Sequence, residues 1–350
     1  MRVGFGVVGA GLFGRRHAQA YALHRDAELL AVCDIRRERA EAVAAEFGGT
    51  PHEHLDEMLR HPGLAAVSVA TPDHAHREVA VTVATAGKHL LIEKPLATTV
   101  EDAGAIIDAA RHNDVTLMVD FHNRWNPPFC AARDAIGAGQ VGRVRYIYMR
   151  LSNAITIPTE MLDWAGRSSV VWFLGSHCVD LLRWLLDAEV TCVSAVAGRG
   201  VLEQRGVTAD DYVVATLEFS NGAHAVLEHV WILPAGGPTV KDFKTEIVGE
   251  QGTMYIDTSH NESLVLARAG ALTYPDLFAA PVVAGRADGF VQRSIWHFVE
   301  CVRDGREPAV TGQDGLKVTE AGVAILRAVQ DGGVVALPHA SRVGRGAVRP

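Results

Sequence analysis

The first 120 residues alternate short, almost continuously apolar runs with longer segments rich in alanine and charged residues. Apolar runs separated by helical segments of about 10–15 residues are typical of βαβ units in a parallel sheet covered on both faces. The pattern therefore predicts an α/β fold with a doubly wound parallel sheet. The predicted strands are residues 2–8, 28–34, 65–70, 88–92 and 115–121, and the predicted helices are 12–23, 36–47, 75–86 and 100–112.

After residue 126 apolar and polar positions alternate in part, and tight turns replace the helical connections. Ser220, Asn221 and Gly222 join two runs as a hairpin, which requires antiparallel pairing. This half is predicted to be an α+β domain with a large, mostly antiparallel sheet that leaves one face open. Its predicted strands are 144–151, 190–198, 211–219, 223–231, 244–248, 253–257 and 263–267, and its predicted helices are about 175–187, 288–304 and 313–331.

Length and composition support two domains and exclude several classes of protein. The chain has 350 residues, whereas a single core stops growing at about 250–300 residues. We predict domains at 1–122 and 123–335 and a loose tail at 336–350. The net charge of −8 offers no basic field for nucleic acid or an anionic membrane surface. No apolar run reaches the ~18 residues that span a bilayer.

The cysteines and histidines predict neither disulfides nor a metal site. Five scattered cysteines without a CxxC pair are typical of a reducing compartment, so we expect a cytoplasmic protein. HExxH spacing, which marks a helical zinc site, does not occur. The GxSxG turn of serine hydrolases does not occur either.

Residues 9–14 read GAGLFG, a glycine-rich turn that follows a predicted strand and opens a predicted helix. In a dinucleotide-binding turn, Gly9 allows the tight bend, Gly11 lets the backbone approach a pyrophosphate, and Gly14 permits close helix–strand packing. The phosphates bind N–H groups at the helix N-terminus, so Leu12 and Phe13 are included among the cofactor-binding residues.

An acidic residue follows at the distance that dinucleotide binding requires. Asp34 ends the second predicted strand 20 residues after Gly14, where an acid hydrogen-bonds the adenosine ribose. Because a carboxylate there repels a 2′-phosphate, NAD is favoured over NADP. Arg36 and Arg37 lie close by and could relax that preference, so NADP stays open and Arg36 is a candidate cofactor contact.

Two further motifs follow predicted strands, at the sheet edge where open α/β sheets bind ligands. They are TPDHAH at residues 71–76 and Glu93-Lys94-Pro95. A lysine beside a nicotinamide ring and partly desolvated has a lowered pKa and can exchange a proton with a substrate oxygen. The proline after it could be cis and fix the direction of the lysine.

Together these motifs resemble the Gfo/Idh/MocA oxidoreductases, which pair an N-terminal Rossmann domain with a C-terminal open antiparallel sheet. The resemblance continues through FHNRWNP at 121–127, GSHCVDLLRWLL at 175–186 and VGEQGTMYID at 248–257. It implies that Lys94 is the catalytic lysine and that Glu93 lies near the nicotinamide ribose. It also implies that His177 binds the reacting hydroxyl or relays its proton. Further residues implied at the site are Thr71, Pro72 and His76 around the cofactor and Arg124 facing the active site.

The sequence departs from the usual family pattern next to His177. Many members carry an aspartate four residues before that histidine, and this chain has Phe173 there. Asp163 could replace the carboxylate from a loop. Alternatively, Trp164, Trp172 and Phe173 hold a sugar by stacking, while Lys94 and His177 move protons. Asp180, three residues after His177, could orient its ring.

The favoured function is an NAD(P)-dependent oxidoreductase that transfers a hydride between nicotinamide and a carbon of a sugar, sugar derivative or cyclic polyol. Lys94 or His177 accepts the hydroxyl proton. One alternative is a glycoside hydrolase that uses NAD transiently, and another is a cofactor-sensing protein without turnover. The open sheet face and the resemblance imply a homodimer or homotetramer.

Overall fold

The computed structural model describes residues 2–237, 239–260, 263–268 and 271–337. Residues 338–350, which make up most of the predicted tail, lie outside the described residues. None of the helices in the described part is both long and apolar enough to cross a membrane.

The first half of the chain forms a parallel sheet with helices packed on it, as the sequence predicts. Its strands are β1 (Val3–Val8), β2 (Ala27–Cys33), β3 (Thr50–His52), β4 (Leu64–Val69), β5 (His89–Ile92) and β6 (Leu117–Val119), and its helices are α1 (Leu12–Leu23), α2 (Arg37–Phe47), α3 (Leu55–Leu59), α4 (His76–Thr85) and α5 (Val100–His112). The strand order is β3-β2-β1-β4-β5-β6. The order reverses between β1 and β4, which is the switch point where such sheets bind ligands.

The carboxyl ends of these strands bring the predicted motifs to one edge of the sheet. Gly9 follows β1, Asp34 follows β2, Thr71 follows β4 and Glu93 follows β5. Asp120 follows β6 at the same edge and belongs to none of the predicted motifs.

The second half is built on a seven-stranded sheet in the order β12-β11-β7-β10-β9-β8-β17. Neighbouring strands are antiparallel except β7 and β10, which are parallel. The elements are α6 (Pro127–Gly137), β7 (Val144–Asn153), α7 (Ser176–Leu186), β8 (Val190–Gly198), β9 (Tyr212–Phe219), β10 (His224–Val230), β11 (Lys241–Gly249), β12 (Thr253–Asp257), β13 (Leu266–Arg268), β14 (Ala271–Thr273), β15 (Val282–Val283), β16 (Arg286–Ala287), α8 (Phe290–Asp304), α9 (Gly312–Asp331) and β17 (Val334–Ala336).

Helices α8 and α9 return to the first half of the chain and tie the two sheets together. From α8, the Trp296 indole donates to the Ala20 carbonyl at 2.9 Å. From α9, the Thr319 hydroxyl donates to the Ala97 carbonyl at 3.1 Å. Gly315 brings α9 close to the first sheet, because a Cβ there would lie 2.8 Å from Cβ of Leu96. The predicted division at residue 122 stays a prediction.

The element boundaries were predicted well where the hydrophobic pattern is regular, and poorly in proline-rich or irregular segments. Residues 12–23, 100–112, 190–198 and 253–257 coincide with α1, α5, β8 and β12. Helix α6 was missed, because the sequence analysis predicts no element between residues 121 and 144. Pro127 instead begins α6, where its missing N–H costs no hydrogen bond. The helix that carries His177 was predicted from residue 175, but it is preceded by a π-helical turn over Val171–Gly175.

Candidate active site

The glycine-rich turn has the geometry that a dinucleotide requires. Gly9 has φ of +90°, and a Cβ there would lie 2.5 Å from the Ala70 carbonyl oxygen. Gly11 caps α1 without a side-chain hydrogen bond, and nothing lies within 4 Å of where its Cβ would be. Gly14 has no room for a side chain because the Gly9 carbonyl lies against it. The first-turn N–H groups therefore remain open to a phosphate.

An orphaned hydroxyl beside this turn also fits a bound cofactor. Oγ1 of Thr71 is buried without a hydrogen-bond partner in the described part of the chain, and the Thr71 amide lies 2.8 Å from the Cβ position of Gly9. A buried polar atom without a partner is rare, and a ligand that supplies one explains it. Leu12 is 52% exposed at the start of α1. Phe13 stacks on His122 with their ring centroids 6.0 Å apart.

Asp34 links the glycine-rich turn to the end of β2. It is nearly buried, and Oδ2 accepts from the Ala10 amide at 2.7 Å while Oδ1 accepts from the Arg36 amide at 2.8 Å. Each carboxylate oxygen keeps a lone pair for a ribose hydroxyl. Ile35, which sequence reasoning missed, is 87% exposed beside it and offers an apolar surface for an adenine ring. A large apolar residue directly after the acid was the available signal.

The Arg36 side chain reaches across to the second half of the chain. Its Nη2 lies 3.1 Å from Oδ2 of Asp163, and the two side chains are 49% and 66% exposed. This contact corrects the expectation that Asp163 replaces the missing carboxylate beside Lys94 and His177. The Asp163 side chain lies in solvent and pairs with Arg36 instead. Arg37 forms a separate surface pair with Glu41 at 2.9 Å.

His76 holds two loops together, which corrects the expectation that its ring lines the cofactor. The ring is 1% exposed, and its nitrogens lie 2.8 Å from the Pro95 carbonyl and 2.9 Å from the Thr71 carbonyl. Pro72 begins the short turn between these loops, and the Lys94–Pro95 peptide bond is cis. His76 therefore fixes the backbone around Thr71 and Lys94.

The Lys94 side chain lies in the cleft between the two halves. Its Nζ donates to the Phe173 carbonyl at 2.8 Å and sits 4.4 Å from the centroid of the Phe173 ring. Burial lowers the pKa of Lys94, while the nearby carboxylates of Glu93, Asp73 and Asp120 partly oppose that shift. A ring face and a carbonyl thus hold the ammonium, and both belong to Phe173.

The three aromatic residues predicted to stack on a sugar have different environments. The Phe173 ring is half-buried and contacts Trp164 at 6.2 Å and Trp231 at 5.8 Å between centroids. Trp164 is half-buried on the same side. Trp172 is 5% exposed and packs on Gly322 of α9, where a Cβ would collide with its ring. Trp172 is therefore a core residue, which corrects the expectation that it contacts substrate.

His177 lies at the start of α7, and its Nδ1 is buried without a hydrogen-bond partner in the described ranges. Burial, followed by the charge on Lys94, holds the pKa of His177 well below its usual value, so the ring is neutral at physiological pH. The expectation that Asp180 orients this ring is wrong. Both oxygens of Asp180 accept from Arg124, at 2.6 Å and 2.8 Å.

Arg124, which was expected to face the active site, has its guanidinium in an ion-pair network. Besides Asp180, its Nη2 lies 3.4 Å from Asp314, and its Nη1 donates to the Ala309 carbonyl at 3.1 Å. The side chain is 9% exposed. It therefore ties the turn after β6 to α7 and α9, so its contribution to the site is positional.

A buried polar cluster behind Lys94 escaped sequence reasoning. His17 of α1 is fully buried, with Nε2 3.0 Å from Glu93 Oε1 and Nδ1 2.8 Å from Ser68 Oγ. Glu93 also accepts from the Lys94 amide at 3.2 Å, so both its oxygens have partners in the protein. Asp120 Oδ2 lies 3.6 Å from His17 Nε2. Glu93 belongs to a predicted motif, but no motif marks His17, Ser68 or Asp120, because elements far apart in sequence bring them together.

The donor atoms of His17, Glu93 and Asp120 lie within 4.8 Å of one another, which is close enough for a metal ion. The hydrogen bond between His17 and Glu93, together with Ser68 on the other ring nitrogen, gives this histidine partners without a metal. We interpret the cluster as a hydrogen-bond network.

Family models match both halves of the chain. The model described as "Oxidoreductase family, NAD-binding Rossmann fold" matches residues 3–121, and the "GFO/IDH/MocA C-terminal domain" model matches residues 129–255. The chain is 29% identical over 331 residues to scyllo-inositol 2-dehydrogenase (NAD(+)) of Bacillus subtilis (strain 168), which covers 93% of this chain and 94% of that protein. It is 28% identical over 340 residues to 1,5-anhydro-D-fructose reductase of Ensifer adhaerens, and this match covers 94% of this chain and 96% of that protein.

A solved structure supports the same fold over the whole length. Myo-inositol 2-dehydrogenase from Lactobacillus plantarum superposes with a TM-score of 0.85 at 19% identity, covering 97% of this chain and 100% of that one. The two family models indicate the same family as the glycine-rich turn and the position of Lys94. The chain therefore belongs to the GFO/IDH/MocA oxidoreductase family and is an NAD-dependent enzyme of that family.

Proposed function

We propose that the enzyme oxidises a secondary hydroxyl of a sugar, sugar derivative or cyclic polyol such as an inositol, with NAD as the cofactor. The observation that carries this proposal is the position of Lys94, a desolvated lysine at the edge of the sheet that also carries the open glycine-rich turn. A polyhydroxylated substrate is supported by the half-buried rings of Trp164 and Phe173, which suit the apolar face of a sugar. The named activities of the relatives point the same way.

The side chains of Lys94 and His177 divide the acid–base work. When bound, NAD supplies the acceptor for the hydrogen that leaves the carbinol carbon with its electron pair. The Lys94 ammonium has three N–H donors and uses one on the Phe173 carbonyl, so it can donate another to the reacting oxygen. His177, neutral because of its lowered pKa, accepts the hydroxyl proton.

The test is the absorbance of reduced nicotinamide on mixing the protein with NAD and a panel of inositols, aldoses and glycosides. Continuing NADH formation with one of them supports the dehydrogenase and begins to identify the substrate. Cleavage of a glycoside without net NADH would favour the NAD-dependent hydrolase. Binding of NAD without conversion of any panel member would contradict the proposal and favour the sensor.

A second copy of the chain is the proposed partner of the open sheet face. The register places the side chains of Tyr146, Val248 and Tyr255 on one face of β7, β11 and β12, and continues to Val196 and Tyr212 on β8 and β9. All five are exposed, with Tyr255 at 76% and Val196 at 64%. Exposed apolar side chains grouped on an open sheet face commonly mark an interface. Light scattering should give a dimer or tetramer, and Tyr255→Glu should shift it toward monomer; a monomeric wild type would contradict this.

The reducing cytoplasm is the proposed location, since all five cysteines are unpaired. Fractionation of the source cells with an antibody tests it, and recovery from an oxidising compartment would contradict it.

A further inference from the structure

A second histidine lies directly behind His177. His122 begins the short turn after β6, and its ring centroid is 4.8 Å from that of His177. The ring is 6% exposed, stacks on Phe13 at 6.0 Å and contacts Phe290 at 5.7 Å. Its Nδ1 is buried and has no hydrogen-bond partner among the described residues. Packing against the rings of Phe13, Phe290 and His177 therefore fixes the position of His122, and its Nδ1 stays available for a hydrogen bond.

The group nearest that nitrogen is a fully buried carboxylate. Oδ2 of Asp120 lies 3.9 Å from Nδ1 of His122 and has no hydrogen-bond partner within the described ranges. The other oxygen, Oδ1, accepts from the hydroxyl of Ser294 on α8. Burial alone would raise the pKa of Asp120, but His122 and His17 lower it, so the carboxyl is ionised. This ionised, dry carboxylate therefore lies 3.9 Å from the open Nδ1 of His122.

The charges on either side of His177 differ in sign. The pKa of His177 is lowered by burial and then by Lys94 and His122, with smaller effects from Lys241 and His229. On the inner side, Asp120 and Glu93 supply negative charge around His17. A proton on His177 is therefore unfavourable, whereas the negative charge of Asp120 lies beside His122. Asp180 cannot give His177 the same support because both its oxygens are occupied by Arg124.

We propose that His122, backed by Asp120, relieves His177 of the substrate proton during oxidation and holds it until reduced cofactor leaves. This inference rests on the proposed function. The substrate O–H bond breaks and its proton passes to His177 and then to His122. The carbinol C–H bond breaks with its electron pair going to nicotinamide, and the substrate becomes a ketone. Because nicotinamide loses its positive charge as His122 gains one, the net charge of the site stays constant.

The first test needs cofactor and no substrate. Histidine Cε1–H signals are compared by NMR between the NAD⁺ and NADH complexes at one pH, and the His122 signal is identified by its loss in His122→Gln. We expect that signal to move toward its protonated position with NADH, and to stay in place in Asp120→Asn. An unchanged signal, or an equal change in Asp120→Asn, would overturn the relay. This outcome is separate from failure of the proposed function, which is judged by substrate conversion alone.

The second test uses whichever substrate the wild-type enzyme converts. His122→Gln and Asp120→Asn should each lower kcat by about 10–100-fold and raise the solvent deuterium isotope effect. KM and NAD affinity should change by less than about threefold, because His122 acts through His177 and does not touch substrate. The side chain introduced by Asp120→Asn keeps an acceptor for the Ser294 hydroxyl, so this variant should still fold. His297→Gln is the matched control, since this nearby ring packs on Trp125 at 5.3 Å instead. The proposal would be overturned if His122→Gln and Asp120→Asn had the same kcat as the control His297→Gln, or if they changed only KM.

Discussion

The cofactor edge of the first sheet and the aromatic segment before α7 lie on either side of Lys94, and they hold their functional atoms in different ways. At the cofactor edge, the proposed phosphate contacts are backbone N–H groups at Gly11 and the start of α1. In the aromatic segment, a π-helical turn over Val171–Gly175 directs the Phe173 carbonyl and ring toward Lys94. The first site depends on backbone geometry that few residues permit, and the second on side-chain packing that many residues satisfy.

This difference explains why one half of the site was predictable. Gly9, Gly14 and Asp34 each meet a requirement that follows from local spacing, so the sequence indicates their roles directly. The positions of Trp172 and Asp180 depend on partners far away in sequence, Gly322 and Arg124, and the helical pattern alone cannot identify those. π-helical turns of this kind have no sequence signature and often occur at functional sites.

The largest expected effect comes from Lys94, which both regions contact. Lys94→Ala should lower kcat by about 10²–10⁴-fold, since it removes a positioned donor and charge from the reacting oxygen. NAD affinity, measured by fluorescence titration, should stay within about threefold because the glycine-rich turn is intact. Lys88→Ala is the matched control, since Lys88 donates to the Leu64 carbonyl at 2.9 Å at the opposite end of β5. A folded Lys94→Ala protein that no longer binds NAD would contradict this assignment.

Acid should destabilise the aromatic side of the cleft through His229. Its Nε2 lies 3.2 Å from the Cβ position of Gly175 in the π-helical turn, and burial lowers its pKa from 6.5 to about 4. The unfolded chain binds a proton below pH 6.5 and the folded chain only near pH 4, so stability falls as pH drops through that window. The contribution lost is about 3 kcal/mol.

Urea unfolding at neutral pH and near pH 4 measures this loss. His229→Gln keeps a donor for the Leu151 carbonyl and should have a smaller difference between the two conditions. His224→Gln, an exposed position on the same strand, should behave like the wild type. Identical pH dependence in all three proteins would show that His229 does not carry the effect.

A smaller effect is expected at Asp34 on the cofactor edge. Asp34→Asn keeps an acceptor for the Ala10 amide and removes the charge, so it should weaken NAD binding by about 1.5 kcal/mol, roughly tenfold. NADP binding should weaken less, because the charge that repels a 2′-phosphate is removed as well. Calorimetric titration with both cofactors checks this, with the exposed Asp56→Asn as control. An equal loss of affinity for NAD and NADP would contradict the proposed contact between Asp34 and the ribose.

The smallest effect is expected where the two regions meet, at the pair of Arg36 and Asp163. Both side chains are about half or more exposed, at 49% and 66%, and solvent screens their attraction. Exposed pairs contribute about 0–1 kcal/mol, so Asp163→Asn should change kcat and NAD affinity by less than about threefold. Arg36→Ala should match it, because both changes break the same contact. A hundredfold loss of kcat in Asp163→Asn alone would instead make this carboxylate the functional replacement for the aspartate missing at position 173, and the aromatic segment would then bind its substrate through a charge.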